Sequence, residues 1–98
     1  MYLEQEKIEI IKEYFKTRPV LKAYPFGSYI RGDANNTSDI DLLVELDNSQ
    51  RIGLLFIRMK HDLEFLLDKS VDLVTHQGIS SRIKEEIDHD KKLIYAKS

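Results

Sequence analysis

Cysteine and tryptophan are absent from the chain, and proline occurs only twice. Without thiols there is neither a disulfide framework nor a thiolate zinc site, which suits a reducing cytoplasm, the expected location. An excess of basic charge is missing too. Fifteen Lys+Arg against seventeen Asp+Glu leave a net charge of −2, with the cations scattered, so composition points to neither nucleic acid nor an anionic membrane as partner. Long hydrophobic runs are lacking as well: Leu54-Leu55-Phe56-Ile57 falls far short of the roughly 18–20 residues of a membrane span. Met1 to Glu6 is acidic and helix-like and is expected not to be a signal peptide. What is present is an ordinary globular mix, 98 residues with 42% hydrophobic and 33% charged. Such a chain is expected to form one soluble domain over residues 1–98, with a substrate site that is open or completed by another molecule.

Apolar spacing predicts a helix from Leu3 to Lys16, with Ile8, Ile11 and Phe15 inward and Arg18-Pro19 as its stop. Val20 to Phe26 reads as a short strand that Pro25 brings to an end or an edge. Asp39 to Leu46 alternates strictly, with Ile40, Leu42, Val44 and Leu46 on one face and Asp39, Asp41, Leu43 and Glu45 on the other. A helix follows from Ile52 to Leu67, its stripe formed by Ile52, Leu55, Met59, Leu63 and Leu66. Leu54, Ile57 and Phe65 widen that stripe beyond one face, which fits either a helix sandwiched in the core or one that docks a partner. Ser70 to Thr75 is a further strand; after Gly78 a helix is expected from Ser80 to about His89, capped by Ser80 or Ser81, and Leu93-Ile94-Tyr95 forms a last strand. Helices alternating with strands make an α/β domain built round a sheet.

Three aspartates stand out: Asp39 and Asp41 on one strand face, and Asp72 on another strand. Strand geometry sets the Cα atoms of Asp39 and Asp41 about 6.6 Å apart with both carboxylates on one side, and a neighbouring Asp72 would complete an oxygen-rich site of the kind Mg²⁺ accepts. An isolated D-x-D is commonly just the wet face of a strand. Aspartate is a poor strand former, however, and finding it three times at strand positions, with Leu43 on the same face, argues for a purpose beyond solvation. Upstream, Phe26-Gly27-Ser28-Tyr29-Ile30-Arg31-Gly32-Asp33 is a strand end followed by one turn of helix. Such a junction leaves amide N–H groups free for phosphate oxygens; Gly27 allows close backbone approach, and the Ser28 hydroxyl can donate. Taken alone it is an ordinary capped turn. His61, His76 and His89 have no ligand spacing among themselves and read as surface or packing residues.

Gly27-Ser28, ten residues, then Asp39-Ile40-Asp41 resembles the GS-x10-DxD signature of the DNA polymerase β nucleotidyltransferase superfamily. With Arg31-Gly32 in the loop and Asp72 beyond, the chain from about residue 5 to residue 96 is similar to the minimal nucleotidyltransferase proteins, including MntA-type antitoxins paired with HEPN-domain toxins. The resemblance implies a polymerase β-like palm fold, a central mixed sheet flanked by helices. It implies that Gly27 and Ser28 hold the triphosphate of ATP, that Asp39 and Asp41 bind two Mg²⁺ ions, and that Asp72 is both a ligand and the activator of the attacking hydroxyl. Arg31 matches the arginine of the family loop, where it would brace the loop or touch phosphate; it has Asp33 as an equally available partner. Ile30 stands where many relatives carry a small residue. The implied reaction is AMP transfer from ATP to a tyrosine of a HEPN-type ribonuclease toxin. The alternative is an antitoxin that neutralises its toxin by stoichiometric binding. Haloacid-dehalogenase-type phosphatases and sugar-nucleotide transferases also carry DxD, but on larger scaffolds.

Overall fold

The computed structural model describes residues 1–47, 53–76 and 81–97. Its elements run α1 (Gln5–Phe15), β1 (Val20–Phe26), α2 (Ser28–Arg31), β2 (Ile40–Leu46), α3 (Gly53–Leu67), β3 (Val71–Thr75), α4 (Ser81–Asp90) and β4 (Tyr95–Ala96). The strands form a mixed four-stranded sheet in the order β3-β2-β1-β4. β1 is antiparallel to both β2 and β4, whereas β2 and β3 are parallel. A parallel pair needs a crossover, and α3 supplies it.

One sheet face carries the main core. Strand alternation turns Ile40, Leu42 and Val44 to the same side, where they join Ile11 and Phe15 of α1 and Met59, Leu63 and Leu67 of α3 in one buried cluster. α1 and α3 are also linked by the Tyr14 hydroxyl, which donates to Asp62 Oδ2 at 2.5 Å. The outer strand β4 is tied in through Tyr95, whose hydroxyl donates to Phe15 O at 3.3 Å. The opposite face is not bare. Leu43 is fully buried outside that cluster, as is Ile87 of α4. The end of α4 is fastened to β1 by Lys92 N–H donating to Pro25 O at 3.1 Å and by the Lys91 ammonium, 4.9 Å above the Tyr24 ring.

Several expected details shift. In α3 the inward row is Met59, Leu63 and Leu67, while Leu66 is 45% exposed. A step of four residues per turn tracks the sheet there, and Leu66 turns instead toward Ile10 and Tyr14 of α1 in a groove between the two helices. Leu54, Ile57 and Phe65 lie outside the core, with Leu54 and Phe65 more than four-fifths exposed. The last strand holds only Tyr95–Ala96, paired with Ala23 and Lys22, and Leu93 and Ile94 precede it. Ile52, Gly78 and Ser80 lie outside the described residues. Among the described residues no helix is long and apolar enough to cross a membrane.

Candidate active site

β1 ends at Phe26, which pairs with Asp41 of β2, and Asp41 pairs in turn with Asp72 of β3. One row across three strands therefore joins the glycine-serine turn to two of the three aspartates, with neighbouring strands about 4.8 Å apart. Paired residues of a parallel ladder point to the same face, so the Asp41 and Asp72 carboxylates share a side. Asp39 lies one residue before β2, which begins at Ile40 rather than at Asp39 as expected, and its charge still acts on Asp41.

The loop before Asp39 is built by its own side chains. Asn35 Oδ1 accepts from Thr37 N at 2.9 Å and from the Thr37 hydroxyl at 2.7 Å, while Asn35 N–H donates to Ser38 Oγ at 2.9 Å. These are local polar turns of the kind asparagine and serine favour. Lys69 Nζ, donating to Asn36 O at 2.8 Å, holds the loop from outside. β3 is started by Glu64, whose Oε2 accepts the Val71 N–H at 3.0 Å, one residue before Asp72.

α2 is a single turn between two glycines with positive φ, Gly27 at +78° and Gly32 at +92°. At Gly27 any added Cβ would collide with Asp41 Oδ2, and at Gly32 with the Tyr2 ring. The turn and the Asp41 carboxylate are thus in direct apposition, an approach open only to glycine. The amino-terminal segment grips the far end of the turn: the Met1 ammonium donates to Gly32 O, and Leu3 N–H donates to Tyr29 O at 3.2 Å. Among the described residues, neither the Ser28 hydroxyl nor the amide N–H groups of Ser28 and Tyr29 have an acceptor.

Electrostatics single out Asp41. Burial, then the neighbouring Asp72 and Asp39 carboxylates, push it up to about 6, against a weaker downward pull from Arg31. Asp39 and Asp72 are exposed. Among the described residues no three His, Asp or Glu side chains are drawn tightly enough to enclose an ion by themselves, so the aspartates make an open cluster rather than a closed cage. Their chemistry nevertheless fits a hard cation: the donors are all oxygen, one is partly desolvated and strained by like charge, and two are open to solvent and to further ligands.

Arg31 has a partner that sequence reading missed. Its Nη1 donates to Asp90 Oδ2 at 2.7 Å, and its Nε donates to Asp33 Oδ2 at 3.4 Å, so the expected Asp33 pair is present but is the longer of the two. Asp90 is held below the usual carboxylate range by His89 and by Arg31. The absence of local signal is understandable, because Asp90 follows Arg31 by 59 residues. Glu64 and Asn35 were missed too, although Asn35-Asn36-Thr37-Ser38 carries the composition of a side-chain-built turn. His61, His76 and His89 each lie beside a carboxylate, none of them in the aspartate cluster.

The chain is similar to known proteins over most of its length. The family model for "Polymerase beta, Nucleotidyltransferase" matches residues 9–98. A "Putative protein adenylyltransferase" of Methanocaldococcus jannaschii is 38% identical over 87 residues, covering 89% of this chain and 91% of its own. The solved structure of a "putative minimal nucleotidyltransferase" superposes with a TM-score of 0.76 at 30% identity, over 90% of this chain and 89% of that one. A mutant form of the toxin–antitoxin complex MntA-HpeT contains a chain with a TM-score of 0.71 at 25% identity, matched over 98% of this chain and 75% of its own.

Proposed function

The chain belongs to the polymerase beta nucleotidyltransferase family, and we propose that it is a protein adenylyltransferase that silences a toxin by placing AMP from ATP on one of its tyrosines. The observation that carries this reading is the row Phe26, Asp41, Asp72, which sets a glycine-serine turn with unpaired donors against clustered carboxylates. Gly27 and Ser28 would hold the triphosphate, the first by close backbone approach and the second by its hydroxyl. Asp39, Asp41 and Asp72 would hold Mg²⁺. Bound there, Mg²⁺ supplies neutralisation of the triphosphate charge and a more acidic acceptor hydroxyl.

Phosphoryl transfer is mostly positioning and charge management, and the chain's own groups serve both ends. The acceptor oxygen attacks the α-phosphorus of ATP as its proton passes to a carboxylate oxygen of Asp72. The bond from that phosphorus to the bridging oxygen breaks, and pyrophosphate leaves along the Gly27-Ser28 turn. The sheet edge beyond Asp72 is open among the described residues, so a docked HEPN-type toxin supplies the remaining wall. In this reading residues 1–98 act as one catalytic unit.

The test is transfer of labelled AMP from ATP and Mg²⁺ to the purified partner, with the modified residue located by mass. Transfer should vanish in Asp39→Ala and Asp41→Ala; undiminished transfer by both would end the assignment of those residues. A second reading, neutralisation by binding alone, is favoured by one observation, the exposed Leu54 and Phe65 of α3. It gains if the triple variant Asp39→Ala, Asp41→Ala, Asp72→Ala still neutralises the toxin at stoichiometric amounts.

A further inference from the structure

The carboxylate that Arg31 grips sits where a helix least favours one. Asp90 is the last residue of α4, at the end where the unpaired carbonyls carry partial negative charge. Its side chain is nonetheless only 9% exposed, against 47% for that of Arg31. Lys92 and Lys91, which follow it, are fastened to Pro25 and Tyr24, two and three residues ahead of Gly27. The sheet therefore fixes the place of Asp90, and Asp90 fixes the place of Arg31. A guanidinium has five N–H donors, and the bonds to Asp90 and Asp33 leave others free on a residue whose backbone N–H donates to Gly27 O at 3.0 Å, one turn from the glycine that abuts Asp41.

We propose that Asp90 is a positioning residue that holds the Arg31 guanidinium at the rim of the aspartate cluster, so that its remaining N–H groups bind the polyphosphate of the nucleotide. This rests on the nucleotidyltransferase reading above. Two physical consequences follow from the pair. An arginine already held in one orientation loses less freedom when the nucleotide arrives, so more of its interaction appears as affinity. Without Asp90, a flexible cation beside three aspartates would be drawn onto them, into the place a metal would take. Lysine cannot replace it, since a single ammonium lacks the planar fork that serves a carboxylate and a phosphate together.

The experiment is a fluorescence titration of the full chain with N-methylanthraniloyl-ATP and Mg²⁺, with a thermal melt of each variant. Arg31→Ala should weaken binding by roughly 10–100-fold, the loss of one charge-assisted phosphate contact. Asp90→Asn should weaken it by roughly 3–10-fold, the cost of reordering the arginine. The double variant should bind no worse than Arg31→Ala, and Asp90→Glu should regain most of the loss. Arg31→Lys should also bind less tightly with Asp90 intact, and it tests the same pair should Asp90→Asn fail to fold. Wild-type affinity in Asp90→Asn or Arg31→Lys, or losses that multiply in the double variant, would overturn the proposal. If the unaltered protein binds the nucleotide and the Asp90 variants are indifferent, only this proposal falls; if the unaltered protein does not bind it, the nucleotidyltransferase reading falls as well.

Discussion

Asp41 shows how a single side chain can be costly to the fold that displays it. Folded, its carboxyl titrates at about 6, against 3.8 for an unperturbed one, because burial and two neighbouring carboxylates disfavour its charge. The folded state therefore holds this proton more tightly than the unfolded state, and metal-free stability declines as pH rises from about 3.8 through 6. Asp41→Asn removes that charge. In chelator at neutral or higher pH it should melt above the unaltered protein, and the difference should fade below pH 3.8, where both states are protonated. Thermal melts across pH check this, and a gap independent of pH would contradict it. Gly27 and Gly53 make a second contrast. Gly27→Ala forces a Cβ into Asp41 Oδ2 at a positive φ with extended ψ that is nearly confined to glycine, and should destabilise by about 1–3 kcal/mol from the backbone alone as well as abolishing transfer. An added Cβ at Gly53 meets nothing within 4 Å, so Gly53→Ala should stabilise by about 0.4–1 kcal/mol. Denaturant unfolding of the two variants reads both signs.

Among the elements, β3 owes its start to α3. Glu64 accepts the Val71 N–H, which also keeps Glu64 below the usual carboxylate range. Glu64→Ala should therefore speed hydrogen exchange at Val71 more than at the amides of Leu42 or Val44, and lower AMP transfer through the neighbouring Asp72; equal protection at Val71 in both proteins would dismiss the link. α3 itself divides cleanly. Leu63 is fully buried and Phe65, two residues on, is 86% exposed. Leu63→Ala should cost about 2–5 kcal/mol, and Phe65→Ser less than about 0.5 kcal/mol, measured by denaturant unfolding. The sequence pattern announced this helix but chose Leu66 for its inner row where Leu67 serves, because periodicity reports an apolar stripe without saying which neighbour each residue meets. β1, by contrast, was legible from Val20 to Phe26 with Pro25 marking its end, although it lies inside the sheet, between β2 and β4, rather than at an edge.

For the whole molecule, the glycine-serine turn and the D-x-D pair were legible in the chain because each is a local pattern, two residues at the end of one strand and two at the start of another. The same holds for the alternation of helix and strand, which reports an α/β fold before any contact is known. The tertiary structure alone decided that β2 and β3 run parallel with Asp41 opposite Asp72, that Gly27 lies against Asp41, and that Arg31 is held by Asp90. These pairings join positions up to 59 apart. Local periodicity encodes which face a side chain takes, whereas contact between distant segments depends on how the elements pack and close the chain, and that leaves no spacing to read.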